Sequence, residues 1–193
     1  YGFTAANILR EETRYQYMKE IADRLKLEID DENEFLTGIA GEISLIKNER
    51  VELEHYFSKN CSEEVFRKIY EGYEERKKRA RLIDFDDMLV YTWELLSQRK
   101  DILSAWQKKY QYILVDEFQD INYRQYSIVK ILAEKHRNIF AVGDDDQAIY
   151  GFRGARPACM RQFVEEFGAK QILLRTNYRS HPDIVEASLA VID

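Results

Sequence analysis

The sequence predicts an α/β protein in which a helical subdomain is followed by part of a parallel sheet. Two short runs of apolar, partly β-branched residues, at positions 112–115 and 139–143, end abruptly at acidic residues. That pattern is typical of buried parallel strands, whose carboxyl ends carry the ligand-binding residues of α/β proteins. A third strand is expected at positions 172–175. Residues 12–99, in contrast, show apolar side chains at helical spacing and no convincing strand.

Four helices are predicted in the first half of the chain. Apolar residues recur there at the spacing that places them on one helix face. Asp84 is a suitable N-cap for the fourth helix, because its carboxylate can accept a backbone N–H. Gly38 and Gly41 weaken the second pattern, since glycine is a poor helix former. The periodic positions are Ile21, Leu25 and Leu27; Phe35, Ile39, Ile43 and Ile46; Val65, Phe66, Ile69, Tyr70 and Tyr73; and Met88, Leu89 and Trp93.

Beyond Ile102 the pattern alternates between strands and helices. Helices are predicted at positions 123–134 and 157–167, and Pro157 suits the first turn of the second one. A last helix is expected to begin near Pro182. This order of elements indicates β-α-β units and therefore a parallel sheet.

Composition allows a large core and excludes a disordered chain. Of the 193 residues, 45% are apolar and 13% aromatic, and the length suits one or two domains. The net charge of −6 argues against a simple basic nucleic-acid-binding domain, although not against a local DNA groove. One dense basic block, ERKKRAR at positions 75–81, alternates with glutamates. We interpret it as a solvated, salt-bridged helix face, with a phosphate contact as the alternative.

The sequence favours a cytoplasmic protein. No apolar run approaches the length of a membrane span, and the first ten residues lack the anatomy of a signal peptide. Cys61 and Cys159 are far apart, which indicates reduced, structural cysteines. The three histidines share no metal-ligand spacing and are interpreted as surface or packing residues.

Two adjacent carboxylates follow the first predicted strand directly. Either Asp116 or Glu117 can hold Mg²⁺, which prefers one or two carboxylates together with phosphate oxygens. The other carboxylate can orient and deprotonate an attacking water in phosphoryl transfer. After the second strand, Gln147 places a neutral amide where it could contact a γ-phosphate. Taken singly these signals are weak, because acidic loop residues are common and Gly143 with its aspartates also suits an ordinary turn.

The next segments add aromatic and arginine side chains. Tyr150, Phe152 and Arg153 occupy a glycine-punctuated loop, and such a cluster favours stacking on single-stranded DNA. A buried loop anchor is the alternative. Further on, Arg179 follows the third predicted strand, where it could stabilise charge on a transferring phosphoryl group or form a surface ion pair. No G-x-x-x-x-G-K-[ST] phosphate loop is present to hold a triphosphate.

Three motifs in order make the combination specific. VDEFQD at positions 115–120, GDDDQAIYGFRGA at 143–155 and LRTNYRS at 174–180 resemble motifs II, III and IV of the superfamily 1 DNA helicases of the UvrD, PcrA and Rep family. The segment LIDFDDML at 82–89 resembles the return of that family's chain to its first motor domain. The resemblance therefore implies a helical 1B-like subdomain at 1–90 and a partial RecA-like motor domain 1A at 91–193. In this reading the phosphate-loop strand of the P-loop NTPase sheet is absent.

The resemblance also implies a role for each candidate residue. Asp116 would bind Mg²⁺, Glu117 would be the catalytic base, and Gln147 would contact the γ-phosphate of ATP and couple it to DNA. Tyr178 would stack on adenine, and Arg179 would be an arginine finger. The residues implied to touch single-stranded DNA are Tyr150, Phe152 and Arg153; Phe152 stands where relatives often carry tryptophan.

The predicted function is therefore that of a fragment of an ATP-dependent 3′-to-5′ DNA helicase. Its partners would be ATP with Mg²⁺, single-stranded DNA, the junction between single and double strands, and the rest of the same polypeptide. The alternatives are the motor of a helicase–nuclease and, for the fragment alone, a non-catalytic DNA- or protein-binding module. Without a phosphate loop, the fragment by itself is predicted not to hydrolyse ATP. The segment around Ile172 is predicted to be displaced from the sheet, poorly ordered or paired with another chain.

Overall fold

The computed structural model of the chain describes residues 2–148 and 158–192. Within these residues the protein is mostly helical, with eight α-helices and one two-stranded sheet. The elements are α1 (Glu11–Arg24), α2 (Glu32–Glu49), α3 (Glu63–Ala80), α4 (Phe85–Gln98), α5 (Lys100–Lys109), β1 (Ile113–Val115), α6 (Tyr123–Ala133), β2 (Ile139–Ala141), α7 (Ala158–Phe167) and α8 (Pro182–Ile192). No described helix is both long and apolar enough to cross a membrane.

Several helices begin where a polar side chain can cap them. The predicted cap Asp84 is confirmed: its Oδ1 accepts the backbone N–H of Asp87 at 2.8 Å, which satisfies one free donor of the first turn of α4. Equivalent hydrogen bonds start three other helices, at Asp31, Ser62 and Asn122. Local sequence therefore fixes where these helices begin.

The first hydrophobic core lies among α1, α2 and α3. The periodic residues predicted for the second and third helices are confirmed as helical, and Ile39, Ile43 and Ile69 are fully buried. The first pattern extends too far, because α1 ends before Leu25 and Leu27. Gly38 leaves room for a neighbouring side chain: a Cβ there would lie 2.4 Å from Asn60 Oδ1, so the Asn60 side chain would have to shift.

The interpretation of the basic block at 75–81 is wrong for one residue. Lys77 is 2% exposed and turns inward against acidic side chains of α3 and α4. Its neighbours Lys78 and Arg79 are exposed, as expected for a solvated face. The block therefore combines one buried lysine, Lys77, with exposed basic residues.

The second core supports the two strands. Strands β1 and β2 run parallel, with Val115 opposite Ala141. The buried residues of this core are Phe118, Tyr126, Cys159 and Phe163. Phe118, just after β1, packs edge-on against Tyr126 of α6 and tilted against Phe163 of α7. The end of β1 is thereby held between two helices.

Three expectations for this half need correction. No strand forms at 172–175; those residues have no regular structure, and Leu173 and Leu174 are largely exposed. A strand needs a hydrogen-bonded neighbour, and within the described residues β1 and β2 pair only with each other. The segment is thus displaced from the sheet, as predicted. The other strands are shorter than expected, and α5 was not predicted. The observed architecture is α/β, with a small sheet.

Helix α6 joins the two halves. It contacts both α2 and α4. The Arg124 guanidinium donates to the Lys47 carbonyl at the end of α2, with Nη2 2.9 Å from the oxygen, and it lies 5.1 Å from the ring centre of Trp93 in α4. Arg124 is thus a buried cation that donates to one carbonyl group in the last turn of a helix. The division at residue 90 stays a prediction.

Candidate functional site

The acidic segments after β1 and β2 meet at one edge of the sheet. The strand ladder continues past the strands, since Val142 N donates to Val115 O at 2.9 Å and Phe118 N donates to Val142 O at 2.8 Å. Asp116 and Glu117 therefore stand beside the segment that begins at Gly143. The carboxyl edge of a parallel sheet is where α/β proteins bind ligands.

The backbone of Glu117 is in the left-handed region, with φ 49° and ψ 45°. Among the described residues, four other non-glycine residues have a positive φ, and each of them lies within four residues after the end of a helix: Lys26, Arg50, Arg81 and Arg137. Glu117 instead follows a strand directly. A non-glycine residue in this conformation is uncommon and costs on the order of 1–3 kcal/mol, and such residues cluster at active sites and ligand-binding sites.

Gln119 links the two strand ends. Its side-chain Nε2 donates to Glu117 Oε2 at 2.7 Å, and its Oε1 accepts the backbone N–H of Asp144 at 3.0 Å. Gln119 is 2% exposed, so these two hydrogen bonds satisfy a buried amide.

Gly143 allows a close approach to Gln119. A Cβ at position 143 would lie 2.7 Å from Gln119 Oε1 and 3.1 Å from its backbone nitrogen. A side chain at 143 would therefore force the Gln119 amide to shift and would crowd the Gln119 backbone. The glycine serves a close approach of two backbone segments.

Gln147 is held by Asp144. One carboxylate oxygen of Asp144 accepts the backbone N–H of Asp146 at 3.1 Å, and the other accepts Nε2 of Gln147 at 2.8 Å. The short helical turn Asp145–Gln147 follows. A chain of hydrogen bonds thus runs from Glu117 through Gln119 and Asp144 to Gln147.

The carboxylates at this edge face solvent. Asp116, Glu117 and Asp144 are exposed, and within the described part of the chain no lysine, arginine or histidine forms an ion pair with any of them. Negative charge is concentrated here without a bound counter-charge. A hard divalent cation such as Mg²⁺, which prefers carboxylate and water oxygens, fits that donor set.

The other candidate residues are not brought to this edge by any described contact. Tyr178 is 93% exposed, between α7 and α8. The backbone N–H of Arg179 donates to Asn177 Oδ1 at 2.9 Å, a local turn contact. The DNA-contact candidates Tyr150, Phe152 and Arg153 lie outside the described residues.

A second group of carboxylates lies between helices α2, α3 and α4. Oxygens of Glu74, Asp84 and Asp87 lie within 4.8 Å of one another, close enough to hold a metal ion. Two lysines occupy this position instead. Lys47 Nζ lies 2.7 Å from Glu74 and from Asp87, and Lys77 Nζ lies 2.6 Å from Asp87 and 2.7 Å from Asp84. The cluster is therefore a buried ion-pair network, hereafter the lysine network.

The lysine network shifts the pKa values of its members in opposite directions. Burial alone would lower the pKa of Lys47, but the charges of the three carboxylates raise it above its usual value. Burial alone would raise the pKa of Asp84, yet Lys47 and Lys77 hold it below its usual range. Burial, then the neighbouring Asp84 carboxylate, raises the pKa of Tyr73, whose hydroxyl donates to Asp84 at 2.9 Å.

Sequence reasoning did not single out Gln119 or Asp144 as site residues. Their side chains contact the implied base and the implied γ-phosphate residue, respectively. The available signal was a glutamine two positions after Glu117 in an otherwise acidic and apolar stretch. Its burial, however, depends on Gly143, which is 24 positions further on, and no local pattern reveals that contact.

Comparisons with known proteins agree with the motifs. The family described as UvrD/REP helicase N-terminal domain matches residues 4–168. The chain is 36% identical over 180 residues, 91% of its length, to the ATP-dependent DNA helicase PcrA of Leuconostoc citreum. It is 39% identical over 176 residues, 89% of its length, to PcrA of Staphylococcus epidermidis. It is 44% identical over 125 residues, 65% of its length, to DNA helicase II of Haemophilus influenzae.

The chain spans 24%, 24% and 17% of the lengths of these three relatives, respectively. The matched region contains both strands, the helices packed on them, and the segments that carry Asp116, Glu117 and Gln147. The chain belongs to the UvrD/REP helicase family.

Proposed function

We propose that this chain is part of an ATP-dependent DNA helicase or translocase that moves 3′ to 5′ along single-stranded DNA. The observation that carries the proposal is the pair of exposed carboxylates, Asp116 and Glu117, at the carboxyl edge of a parallel sheet, where Glu117 is joined through Gln119 and Asp144 to Gln147. Family membership supports ATP as the substrate and DNA as the track.

In the proposed mechanism each candidate residue contacts a different part of the nucleotide or the attacking water. Glu117 accepts the proton of the water that attacks the γ-phosphate. Gln147, a neutral amide, contacts the γ-phosphate without repelling it. It couples the presence of that phosphate to the DNA-contacting segment that follows in sequence. Tyr178 stacks on adenine and Arg179 stabilises charge on the phosphoryl group, which requires both to move from their exposed positions when nucleotide binds.

Asp116 is the residue proposed to hold Mg²⁺. Its carboxylate is exposed, forms no ion pair within the described residues, and uses one oxygen for the backbone N–H of Glu117 at 3.0 Å. The other oxygen remains for the cation or for one of its waters. Bound Mg²⁺ would neutralise charge that develops on the phosphate oxygens.

The DNA contacts are proposed for Tyr150, Phe152 and Arg153, in the segment that follows Gln147. Gln147, which is proposed to contact the γ-phosphate, would then be separated from the stacked bases by only a few residues in sequence. The same proposal includes a RecA-like sheet and the division into a 1B-like subdomain and motor domain 1A. It also includes the junction of single and double strands as substrate, and a cytoplasmic location.

The test is strand displacement by the intact polypeptide that contains this chain. Duplexes with a 3′ or a 5′ single-stranded tail are incubated with ATP and Mg²⁺, and hydrolysis is followed with and without DNA. The proposal expects DNA-stimulated hydrolysis and displacement from the 3′ tail only. Equal or greater displacement from a 5′ tail would refute the direction, and DNA binding without any hydrolysis would instead support a non-catalytic binding module.

A further inference from the structure

Gln119 has a side chain whose orientation the surrounding groups determine. The backbone N–H of Asp144 can only donate, and an ionised Glu117 carboxylate can only accept. Oε1 of the amide must therefore face Asp144 and Nε2 must face Glu117, which is the arrangement observed at 3.0 Å and 2.7 Å. Reversing the amide would break both hydrogen bonds, so the side chain has one satisfied state.

That state is held rigidly. Gln119 is buried in the short helical turn Phe118–Asp120, and the neighbouring Phe118 is fully buried in the second core. On the opposite side Gly143 lies so close that a Cβ would collide with the amide oxygen. The Gln119 amide is thus held in place by packing against neighbouring residues of the protein.

The contact reaches one oxygen of Glu117 only. Oε2 accepts the hydrogen bond from Gln119, whereas no described residue donates a hydrogen bond to Oε1. Because the Glu117 side chain is otherwise exposed, it would sample several rotamers without this bond. Gln119 holds one oxygen and leaves the other directed to solvent.

We infer that Gln119 is a positioning residue, which aims the Glu117 carboxylate and ties it to the Asp144–Gln147 segment, so that the proposed base and the proposed γ-phosphate residue move as one unit. This inference rests on the proposed function. Gln119 touches no substrate atom in this role; it acts through Glu117 on one side and through the Asp144 backbone on the other.

The placement is tested in the 193-residue chain without any activity. NMR signals of the Gln119 side-chain amide should shift in Glu117→Ala, an exposed change that leaves the fold intact. In Gln119→Met, which keeps the size but not the hydrogen bonds, the Asp144 amide proton should exchange at least about 10-fold faster. Gln119 signals that do not move in Glu117→Ala would overturn the inference.

The consequence is tested in the intact polypeptide. Gln119→Met should lower the kcat of DNA-stimulated ATP hydrolysis by about 10- to 100-fold, the range expected when a reacting group is displaced by about 1 Å, while the KM for ATP changes less than about threefold. The matched control is Gln107→Met. Gln107 is also a buried glutamine, but its Nε2 donates to the Ile131 carbonyl of α6 at 2.9 Å and not to a residue of the candidate site.

The outcomes separate the two claims. A kcat that falls no further in Gln119→Met than in Gln107→Met shows a merely structural amide and overturns the inference. If the unaltered intact protein shows no DNA-stimulated hydrolysis, the proposed function fails, and with it the catalytic consequence of Gln119. The NMR signals of the Gln119 side chain in Glu117→Ala then still decide whether Gln119 contacts Glu117, and the exchange of the Asp144 amide decides whether Gln119 holds that segment.

Discussion

Glu74, Asp84 and Asp87 lie between helices, whereas Asp116 and Glu117 follow a strand. In the lysine network each carboxylate lies against an ammonium group of the same chain, and Asp84 and Asp87 are about 6% exposed at their side chains. At the strand ends the carboxylates contact only neutral amides and backbone N–H groups of the described residues, and they face solvent. The first group has its counter-charges within the chain.

This difference separates a structural charge cluster from a proposed binding site. A buried carboxylate without a partner would be strongly destabilising, so the fold supplies Lys47 and Lys77. An exposed carboxylate needs no partner for stability and can be kept for a ligand. Proximity of acidic groups alone would select the lysine network as a metal site, because among the described residues it is the group with three carboxylates within 4.8 Å of one another.

Removing one cation from the lysine network should have the largest effect on stability. Lys77→Met leaves three carboxylates around Lys47 alone, and the free energy of unfolding should fall by about 3–5 kcal/mol. Urea denaturation measures it. The matched control is Lys78→Met, an exposed lysine one position along, which should change stability by no more than about 0.5 kcal/mol. Equal effects of the two changes would show that the network is not the source of stability.

At the strand ends a substitution should lower activity strongly and change stability little, which is the reverse of the effect in the lysine network. Glu117→Gln in the intact polypeptide should lower ATP turnover by at least about 10²-fold, because the amide cannot accept the proton of water. Stability should change by no more than about 0.5 kcal/mol, since the side chain is exposed and the amide oxygen still accepts from Gln119. Turnover and thermal unfolding are compared with those of Glu165→Gln, an exposed glutamate on α7. Near-normal turnover in Glu117→Gln would remove it from the role of base.

Phe152 should behave as a residue of the ligand-binding region. Phe152→Ala in the intact polypeptide should weaken single-strand binding by about 1–3 kcal/mol, the loss of one stacked base, with little change in stability. Fluorescence anisotropy with labelled DNA and thermal unfolding measure the two quantities. A marked fall in unfolding temperature with DNA affinity retained would instead identify a core anchor.

The smallest effect is expected in the pH dependence of stability, to which Asp84 of the lysine network contributes. The folded-state pKa of Asp84 lies below its usual value, so its ionised form stabilises the fold at neutral pH and this contribution is lost as pH falls below about 4. Asp84→Asn, which keeps an N-cap oxygen, lacks that contribution at every pH. The difference in unfolding free energy between the two proteins should narrow by at least about 1 kcal/mol between pH 6 and pH 2. A constant difference would contradict the charge assignment.

The sequence predicted local features better than distant contacts. Capping by Asp84, the periodic faces of α2 and α3 and the acidic ends of both strands each depend on neighbouring residues, and the structure confirms them. The strand at 172–175 was wrong because an apolar run becomes a strand only beside a partner. The burial of Lys77 depends on Lys47 and the carboxylates around it, which local charge patterning does not show.

The same limit applies to the candidate site. The motif carboxylates and Gln147 could be selected by residue type and position after a strand, and they lie at one edge of the sheet as expected. Gln119 could not be assigned a role, because its partners come from two separate segments. Tyr178 was selected by resemblance, and Arg179 by resemblance and by its position after a predicted strand; no described contact tests their roles.

The most direct test asks whether the strand-end carboxylates need groups from outside this chain. The purified 193-residue chain is incubated with ATP and Mg²⁺, with and without single-stranded DNA, beside its Glu117→Gln variant. Because the chain has no phosphate loop to hold the β- and γ-phosphates in line with Glu117, phosphate release should equal that of the variant under both conditions. Release that depends on Glu117 would contradict the account, since some group within the chain would then be holding the triphosphate.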